Sequence, residues 1–162
     1  MSKVKLIQTG GTIDKEYNLL NGELYFTQSN IPDMLKRARS TVEINFFTMK
    51  LLDSLDMNDE YRRELLEHCK NCEEDKIIIS HGTDTMVDSA AAIAELKLNK
   101  TIVLFGAMIP FKIDYSDALF NLGSAITSVQ LAATGVYIAM NGQLFRHDNV
   151  VKNREKGEFE VL

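Results

Sequence analysis

Short runs of apolar residues alternate along the chain with longer segments of helical periodicity. Three runs are almost continuously apolar and have the length of buried strands: Lys76–Ser80, Thr101–Phe105 and Gly135–Met140. Two further strands are predicted over residues 3–9 and over the alternating, β-branched segment 41–48. Strands that are apolar on both faces are typical of parallel sheets, in which helices cover each face.

Four segments between the strands predict helices, because their apolar residues recur at spacings of three and four. They are residues 31–38, 58–72, 84–98 and 117–133. Residues 16–28 predict a loop, in which Asn21-Gly22 favours a hairpin turn. The alternation of strands and helices predicts one α/β domain over residues 1–162, with a mostly parallel sheet and helices on both faces.

Small and hydroxyl-bearing residues directly follow three of the predicted strands. They form the segments Thr9-Gly10-Gly11-Thr12, His81-Gly82-Thr83-Asp84 and Gly106-Ala107. Parallel strands end at one edge of a sheet, where ligands of open α/β sheets bind. Glycines permit a close approach of the backbone, and N–H groups at a helix start favour a developing oxyanion. The same pattern is common in tight turns capped by Thr and Asp, so it marks a place for a site without defining its chemistry.

Charge and length exclude several classes of protein. The net charge of −5 argues against nucleic acid and against a polybasic membrane anchor. No apolar run approaches the ~18 residues of a membrane span, and the chain start lacks the apolar core of a signal peptide. We therefore expect a cytoplasmic protein that binds neither nucleic acid nor membrane. The only cysteines, Cys69 and Cys72, lie on a predicted helix, and a zinc site would need two more ligands.

Several common catalytic motifs are absent from the sequence. The nucleotide-binding patterns GxxxxGK[ST] and GxGxxG do not occur, and neither does the GxSxG elbow of serine hydrolases. His68, His81 and His147 are interpreted as structural residues. A hydroxyl nucleophile in this chain would therefore depend on a lysine or a tyrosine for its activation.

Two strand-end segments resemble signature motifs of the bacterial-type L-asparaginase/glutaminase family. They are Thr9-Gly-Gly-Thr12-Ile13 and His81-Gly-Thr-Asp-Thr85. Segments 54–58, 106–110, 120–122 and Val151-Lys152 match further family segments in the same order. The stretch 12–17 looks like the family's short, single-domain form. The resemblance implies a flavodoxin-like asparaginase N-terminal domain over residues 1–162, without the C-terminal domain of most members.

The resemblance also implies roles for individual residues. Thr12 is expected to attack the side-chain amide carbon of L-asparagine. Thr83, Asp84 and Lys152 are expected to activate this hydroxyl or the water that follows it. Substrate contacts are implied for Gly11, Ser54, Gly82 and Ala107. The products would be L-aspartate and ammonia, and the resemblance implies neither a metal nor an organic cofactor.

The family also places a tyrosine on a mobile loop that closes over the substrate. We favour Tyr17, which belongs to the stretch 12–17; Tyr25 is the alternative, with a spacing like that of some two-domain members. Leu55 stands where members often have a polar residue, so L-glutamine stays open as a second substrate.

Two other functions stay open beside the amidohydrolase. One is a non-catalytic amino-acid-binding or regulatory domain, which would not need Lys152. The other is a subunit of an amidotransferase that acts on a charged tRNA, against which the acidic net charge argues. The predicted helix at 117–133 carries apolar residues on more than one face, so we expect a homodimer or a dimer of dimers.

Overall fold

The computed structural model describes residues 3–162; Met1 and Ser2 of the predicted domain lie outside this part. The strands, in chain order, are β1 (Val4–Gly10), β2 (Lys15–Tyr17), β3 (Leu24–Phe26), β4 (Ile44–Leu52), β5 (Lys76–Ser80), β6 (Thr101–Phe105), β7 (Gly135–Met140), β8 (Gln143–Arg146), β9 (Val151–Asn153) and β10 (Glu158–Glu160). The helices are α1 (Ile31–Arg37), α2 (Asp59–Asn71), α3 (Met86–Glu95) and α4 (Ala118–Leu131).

Within residues 3–162, six of these strands form one sheet in the order β4-β1-β5-β6-β7-β8. The first five are parallel to their neighbours, and β8 runs antiparallel to β7 at the edge. After β1, the chain places β4 on one side of β1 and then β5 on the other side, and the later strands follow beyond β5. The switch point, where open α/β sheets bind ligands, therefore lies between β1 and β5.

Each face of the sheet has its own apolar core, because successive side chains of a strand point to opposite faces. On β5, Ile77 and Ile79 pack in the cluster that contains α2 and α3, whereas Ile78 packs in the cluster that contains α1 and α4. The predicted α/β fold, with a mostly parallel sheet and helices on both faces, is confirmed.

Some predicted boundaries were wrong. The strand predicted over 41–48 lies at Ile44–Leu52, where parallel pairing with β1 begins at Val4 and Ile44. The helix predicted from residue 84 begins only at Met86, because a turn that bonds to Ser54 takes up the two preceding residues. Five short strands were not predicted as strands: β8, β9 and β10, and the pair β2 and β3, which flank the hairpin turn expected within the loop-like segment 16–28. Three or four residues show too little alternation to be recognised.

Helix α4 packs only one of its faces on the sheet. Ala118, Leu122 and Ala125 are fully buried, whereas the side chains of Phe120 and Leu131 are 63% and 81% exposed. Across residues 3–162, every helix is too short or too polar to cross a membrane.

Candidate active site

Two strand-end turns touch each other at the switch point. Gly11 follows β1 and Gly82 follows β5. A Cβ atom added to Gly11 would lie 2.5 Å from the Cα of Gly82, and one added to Gly82 would lie 2.5 Å from the Cβ of Ser54. Both distances are far below van der Waals contact, so the three backbones approach one another only because two residues lack side chains. Thr12 and Thr83 each follow one residue further along these two touching turns.

Backbone hydrogen bonds hold the turn that carries Thr12. Gly11 has a φ of 84° and donates its N–H to the carbonyl of Leu52 at 2.7 Å. Thr12 opens a single turn of 3₁₀ helix, Thr12–Asp14, in which the N–H of Asp14 bonds the Gly11 carbonyl at 3.1 Å. Thr12 itself is half-buried, and its side chain stands at the carboxyl edge of the sheet.

A largely buried lysine, Lys152 of β9, joins the turn after β5 to the C-terminal hairpin β9–β10. The Nζ of Lys152 donates to Thr83 Oγ1 at 2.7 Å and to Asp84 Oδ1 at 2.8 Å. Its side chain is only 11% exposed. Lys152 lies on β9, opposite the buried Phe159 of β10, so the hairpin β9–β10 fixes its position. The structure thus brings together a hydroxyl, a carboxylate and an amine that are 68 and 69 residues apart.

A second cation, which sequence analysis did not identify, contacts the same carboxylate. Arg154 Nη1 lies 3.0 Å from Asp84 Oδ1, and Arg154 Nη2 donates to the Asp84 carbonyl at 3.5 Å. The side chain of Arg154 is 65% exposed, so it stands at the mouth of the site. Arg154 lies in the turn directly after β9, and its closeness in sequence to Lys152 is the signal that could have revealed it.

Ser54 and Ala107, both predicted to contact substrate, lie behind the turns. Ser54 is 3% exposed; its Oγ accepts the N–H of Asp84 at 3.2 Å, and its carbonyl accepts the Thr85 hydroxyl at 2.8 Å. Ala107 is 1% exposed and follows Gly106 at the end of β6. Ser54 therefore supports the turn that presents Asp84.

The hairpin β2–β3 stands beside the Thr12 turn and carries both candidate tyrosines. Lys15, at its start, forms an ion pair with Asp53, the residue before Ser54. Partial burial raises the pKa of Asp53, but hydrogen bonds from Lys15 and from the Leu55 N–H outweigh this effect and lower it overall; the charge of Lys152 adds to the lowering. The hairpin is thus attached to the site at its first residue.

The two tyrosines point to opposite faces of this hairpin. Tyr17 pairs with Leu24, whereas Tyr25 pairs with Glu16, one position away along β2. Tyr17 shares its face with Lys15, whose amine reaches Asp53. Both tyrosines are partly exposed, at 53% for Tyr17 and 41% for Tyr25. Only one of them can therefore face the residues around Asp53.

His81 is fully buried and links the turn after β5 to helix α3. Its Nδ1 lies 2.7 Å from the Gly82 carbonyl, and its Nε2 lies 2.9 Å from the Ser89 hydroxyl on α3. Burial lowers the pKa of His81 to about 4, so the imidazole is neutral at pH 7. A neutral ring that bonds on both sides fits the structural role expected for it.

Within residues 3–162, no group of three or more His, Cys, Asp or Glu side chains is placed to hold a metal ion. Cys69 and Cys72 are free thiols at the end of α2. Burial raises the pKa of the Cys69 thiol to about 12, and its side chain packs in the core.

Comparison with known proteins identifies the family. The family model for the asparaginase N-terminal domain matches residues 3–158. The chain is 26% identical to the thermostable L-asparaginase from Thermococcus kodakarensis, with a TM-score of 0.87 over 99% of this chain and 51% of that one. It is also 26% identical to a probable cytoplasmic L-asparaginase from Campylobacter jejuni, with a TM-score of 0.80 over 99% and 52% of the two chains. The chain belongs to the asparaginase family.

Curated relatives carry two kinds of name. A glutamyl-tRNA(Gln) amidotransferase subunit from Thermococcus kodakarensis is 31% identical over 153 residues, which cover 88% of this chain and 34% of the relative. A probable periplasmic L-asparaginase from Haemophilus influenzae is 28% identical over 164 residues, which cover 94% and 46%. The chain spans less than half the length of these two relatives.

Proposed function

We propose that this chain hydrolyses the side-chain amide of L-asparagine to L-aspartate and ammonia, with Thr12 as the nucleophile. The observation that carries the proposal is the position of Lys152, whose amine bonds both Thr83 and Asp84 while almost buried. A domain that only bound amino acids would not need a lysine held in this way, because its burial costs free energy without contacting a ligand.

The proposed reaction has two steps. The Thr12 hydroxyl attacks the amide carbon, and its proton passes through the Thr83–Lys152 pair to the leaving nitrogen, which departs as ammonia. A water molecule then attacks the ester and gives a proton to the Thr12 oxygen as the C–O bond to that oxygen breaks, so that L-aspartate is released and the Thr12 hydroxyl is restored. Backbone N–H groups of the Gly11 and Gly82 turns are the candidate donors to the oxyanion of each tetrahedral intermediate.

Recognition of the substrate is assigned to the groups around the second turn. Asp84 would hold the α-ammonium, and Ser54, Gly82 and Ala107 would line the pocket behind it. Leu55 is 71% exposed and offers no polar group, so the preference for L-asparagine over L-glutamine is a matter for experiment.

Ammonia release from millimolar L-asparagine tests the proposal. We expect turnover by the wild-type chain and loss of turnover in Thr12→Ala. Thr127→Ala, which truncates an exposed threonine on α4, is the matched control and is expected to keep wild-type activity. Absence of ammonia from both L-asparagine and L-glutamine, with tight binding of either, would instead identify an amino-acid-binding domain.

The relatives named as amidotransferase subunits support a second candidate, a subunit that works on charged tRNA. The net charge of −5 argues against a direct tRNA contact by this chain. Filter binding with total tRNA at low and physiological salt separates the candidates. Salt-dependent binding by the chain alone would favour the amidotransferase, and no retention together with ammonia release favours the amidohydrolase.

Assembly and location are proposed on separate grounds. The exposed Phe120 and Leu131 of α4 support a homodimer or a dimer of dimers. Sedimentation at micromolar concentration is expected to give a mass of at least twice the 18.3 kDa chain; a monomer with full activity would contradict this. A cytoplasmic location stays a prediction, because one relative is named cytoplasmic and another periplasmic.

A further inference from the structure

A buried carboxylate lies two residues after the proposed nucleophile. Asp14 is 0% exposed, and its Oδ1 accepts hydrogen bonds from the Ser29 hydroxyl at 3.0 Å and from the Asn30 N–H at 2.7 Å. Within residues 3–162, its Oδ2 has no hydrogen-bond partner, and neither has the buried Nδ2 of Asn30. A buried charge without a cation is costly, so it calls for an explanation beyond packing.

The two hydrogen bonds of Asp14 close the base of the hairpin β2–β3. Asp14 immediately precedes β2, and Ser29 and Asn30 follow the end of β3 by three and four residues. The carboxylate therefore ties together the two points where the hairpin leaves and rejoins the domain. The ion pair of Lys15 with Asp53 fixes the same base on its other side.

A chain of hydrogen bonds connects this closure to the sheet below Thr12. Thr48 on β4 donates to Gln8 Oε1, and Gln8 Nε2 donates to Ser29 Oγ at 2.9 Å. Ser29 in turn donates its own hydroxyl hydrogen to Asp14. Each hydrogen bond in this series is donated in the direction of the carboxylate, so an acceptor at position 14 sets the direction of all of them. An alanine there would leave the Ser29 hydroxyl without its acceptor.

The tip of the hairpin is held differently from its base. Its turn bonds within itself, with the N–H of Asn18 donating to the Glu23 carbonyl at 2.8 Å. The side chains of Leu19 and Leu20 are 89% and 98% exposed. A hairpin that is attached at its base and exposed at its tip has the form of a lid that closes by rotation about its base.

We propose that Asp14 is a positioning residue: its carboxylate fixes the Thr12 turn against the base of the hairpin, so that the lid carries Tyr17 toward Thr12 when it closes. Asp14 itself touches no reacting atom. The link to catalysis rests on the proposed function, whereas the closure of the hairpin by Asp14 does not.

The ionisation of Asp14 makes the stability of the chain depend on pH. Burial raises the pKa of Asp14 to about 6, against which the bonds from Asn30 and Ser29 act only partly. The folded state therefore holds more protons than the unfolded state between pH 4 and about 6. The ionised side chain thus lowers stability above pH 6. The two groups that bond it, Ser29 and Asn30, are uncharged, as is Gln8, which bonds Ser29. Lys15 directs its amine to Asp53.

Three variants test the proposal: Asp14→Ala, Asp14→Asn and, as a control, Asp33→Ala at an exposed position on α1. In Asp14→Ala we expect kcat to fall at least about tenfold, with KM changed by less than about threefold. Chymotryptic cleavage at Leu19 and Leu20 is expected to accelerate by at least about fivefold, because the base is opened. Asp14→Asn keeps an acceptor oxygen, so it should restore slow cleavage and at least half of kcat. Asp33→Ala should match the wild type.

Thermal melting completes the test. Asp14→Asn should melt at or above the wild-type temperature at pH 8, and this advantage should shrink as the pH falls from about 6 and be lost near pH 4. Unchanged cleavage in Asp14→Ala, or an Asn variant as defective as the Ala variant, would overturn the proposal. Cleavage and melting need no substrate, so failure of the proposed amide hydrolysis would leave this result readable.

Discussion

The two sides of the candidate site are built in opposite ways. On one side, Thr83, Asp84 and Lys152 bond one another at the end of a central strand, and Lys152 is nearly buried. On the other side, the hairpin β2–β3 lies outside the sheet, with a closed base and an exposed tip. Groups that exchange protons need fixed distances, whereas a cover must open to admit substrate. We therefore expect large, all-or-none effects of substitutions on the first side and graded effects on the second.

Removing the proposed nucleophile or a group of the fixed side should have the largest effect on activity. We expect Thr12→Ala and Lys152→Met each to lower kcat by about a thousandfold or more, ~4 kcal/mol in barrier height, while the fold is retained. The control is Lys156→Met, which removes an exposed lysine from the hairpin β9–β10 that also carries Lys152. Lys156 pairs with Glu160, and its substitution should leave ammonia release unchanged. Turnover of Thr12→Ala within about tenfold of wild type would exclude Thr12 as the nucleophile.

Gly82→Ala tests the close approach of the backbones. The new Cβ would meet the Cβ and Oγ of Ser54 at 2.5 and 2.7 Å, so we expect a loss of about 1–3 kcal/mol in unfolding free energy together with most of the activity. Gly123→Ala is the matched control on α4, where a Cβ meets nothing within 4 Å. It should stabilise the chain by about 0.5–1 kcal/mol. Equal denaturant midpoints for the two variants would contradict the packing argument.

The tyrosines probe the side formed by the hairpin β2–β3. Because they point to opposite faces of the hairpin, Tyr17→Phe should lower kcat by about tenfold or more, whereas Tyr25→Phe should change it by less than about threefold. Steady-state kinetics on both variants decides the assignment. If only Tyr25→Phe is impaired, the face that carries Lys15 is not the one that closes over the substrate.

Arg154 is expected to produce the smallest effect, at the boundary between the two sides. Together with Lys152 it contacts Oδ1 of Asp84, so its positive charge competes with the α-ammonium that this carboxylate is proposed to hold. Arg154→Gln should therefore lower KM for L-asparagine by about threefold, and leave KM for succinamate, which has no α-amino group, unchanged. Arg146→Gln, an exposed arginine paired with Asp148, serves as control. A rise in KM for both substrates would show that Arg154 binds the carboxylate instead.

Much of the fold could be predicted from the sequence, because the strands of a parallel sheet are buried on both faces. The boundaries of β5, β6 and β7 were predicted correctly from apolar runs alone. Predictions failed where a few residues obtain their conformation from partners far along the chain. The strands β9 and β10 are an example: they pair only with each other, and they hold Lys152 against Asp84.

By itself, the sequence determined the class of fold, the edge of the sheet that carries the site and the motifs that mark the family. Periodicity and glycine position are local properties, so they can be detected in the sequence alone. The family resemblance had already grouped Lys152 with Thr83 and Asp84, and the tertiary structure supplied the contacts that join them. Only the tertiary structure showed the presence of Arg154 on Asp84 and the closure of the hairpin β2–β3 by Asp14. These contacts join residues between 15 and 70 positions apart, and no local pattern encodes them. They arise only when the chain folds and brings the two short antiparallel hairpins, β2–β3 and β9–β10, to the edge of the parallel sheet.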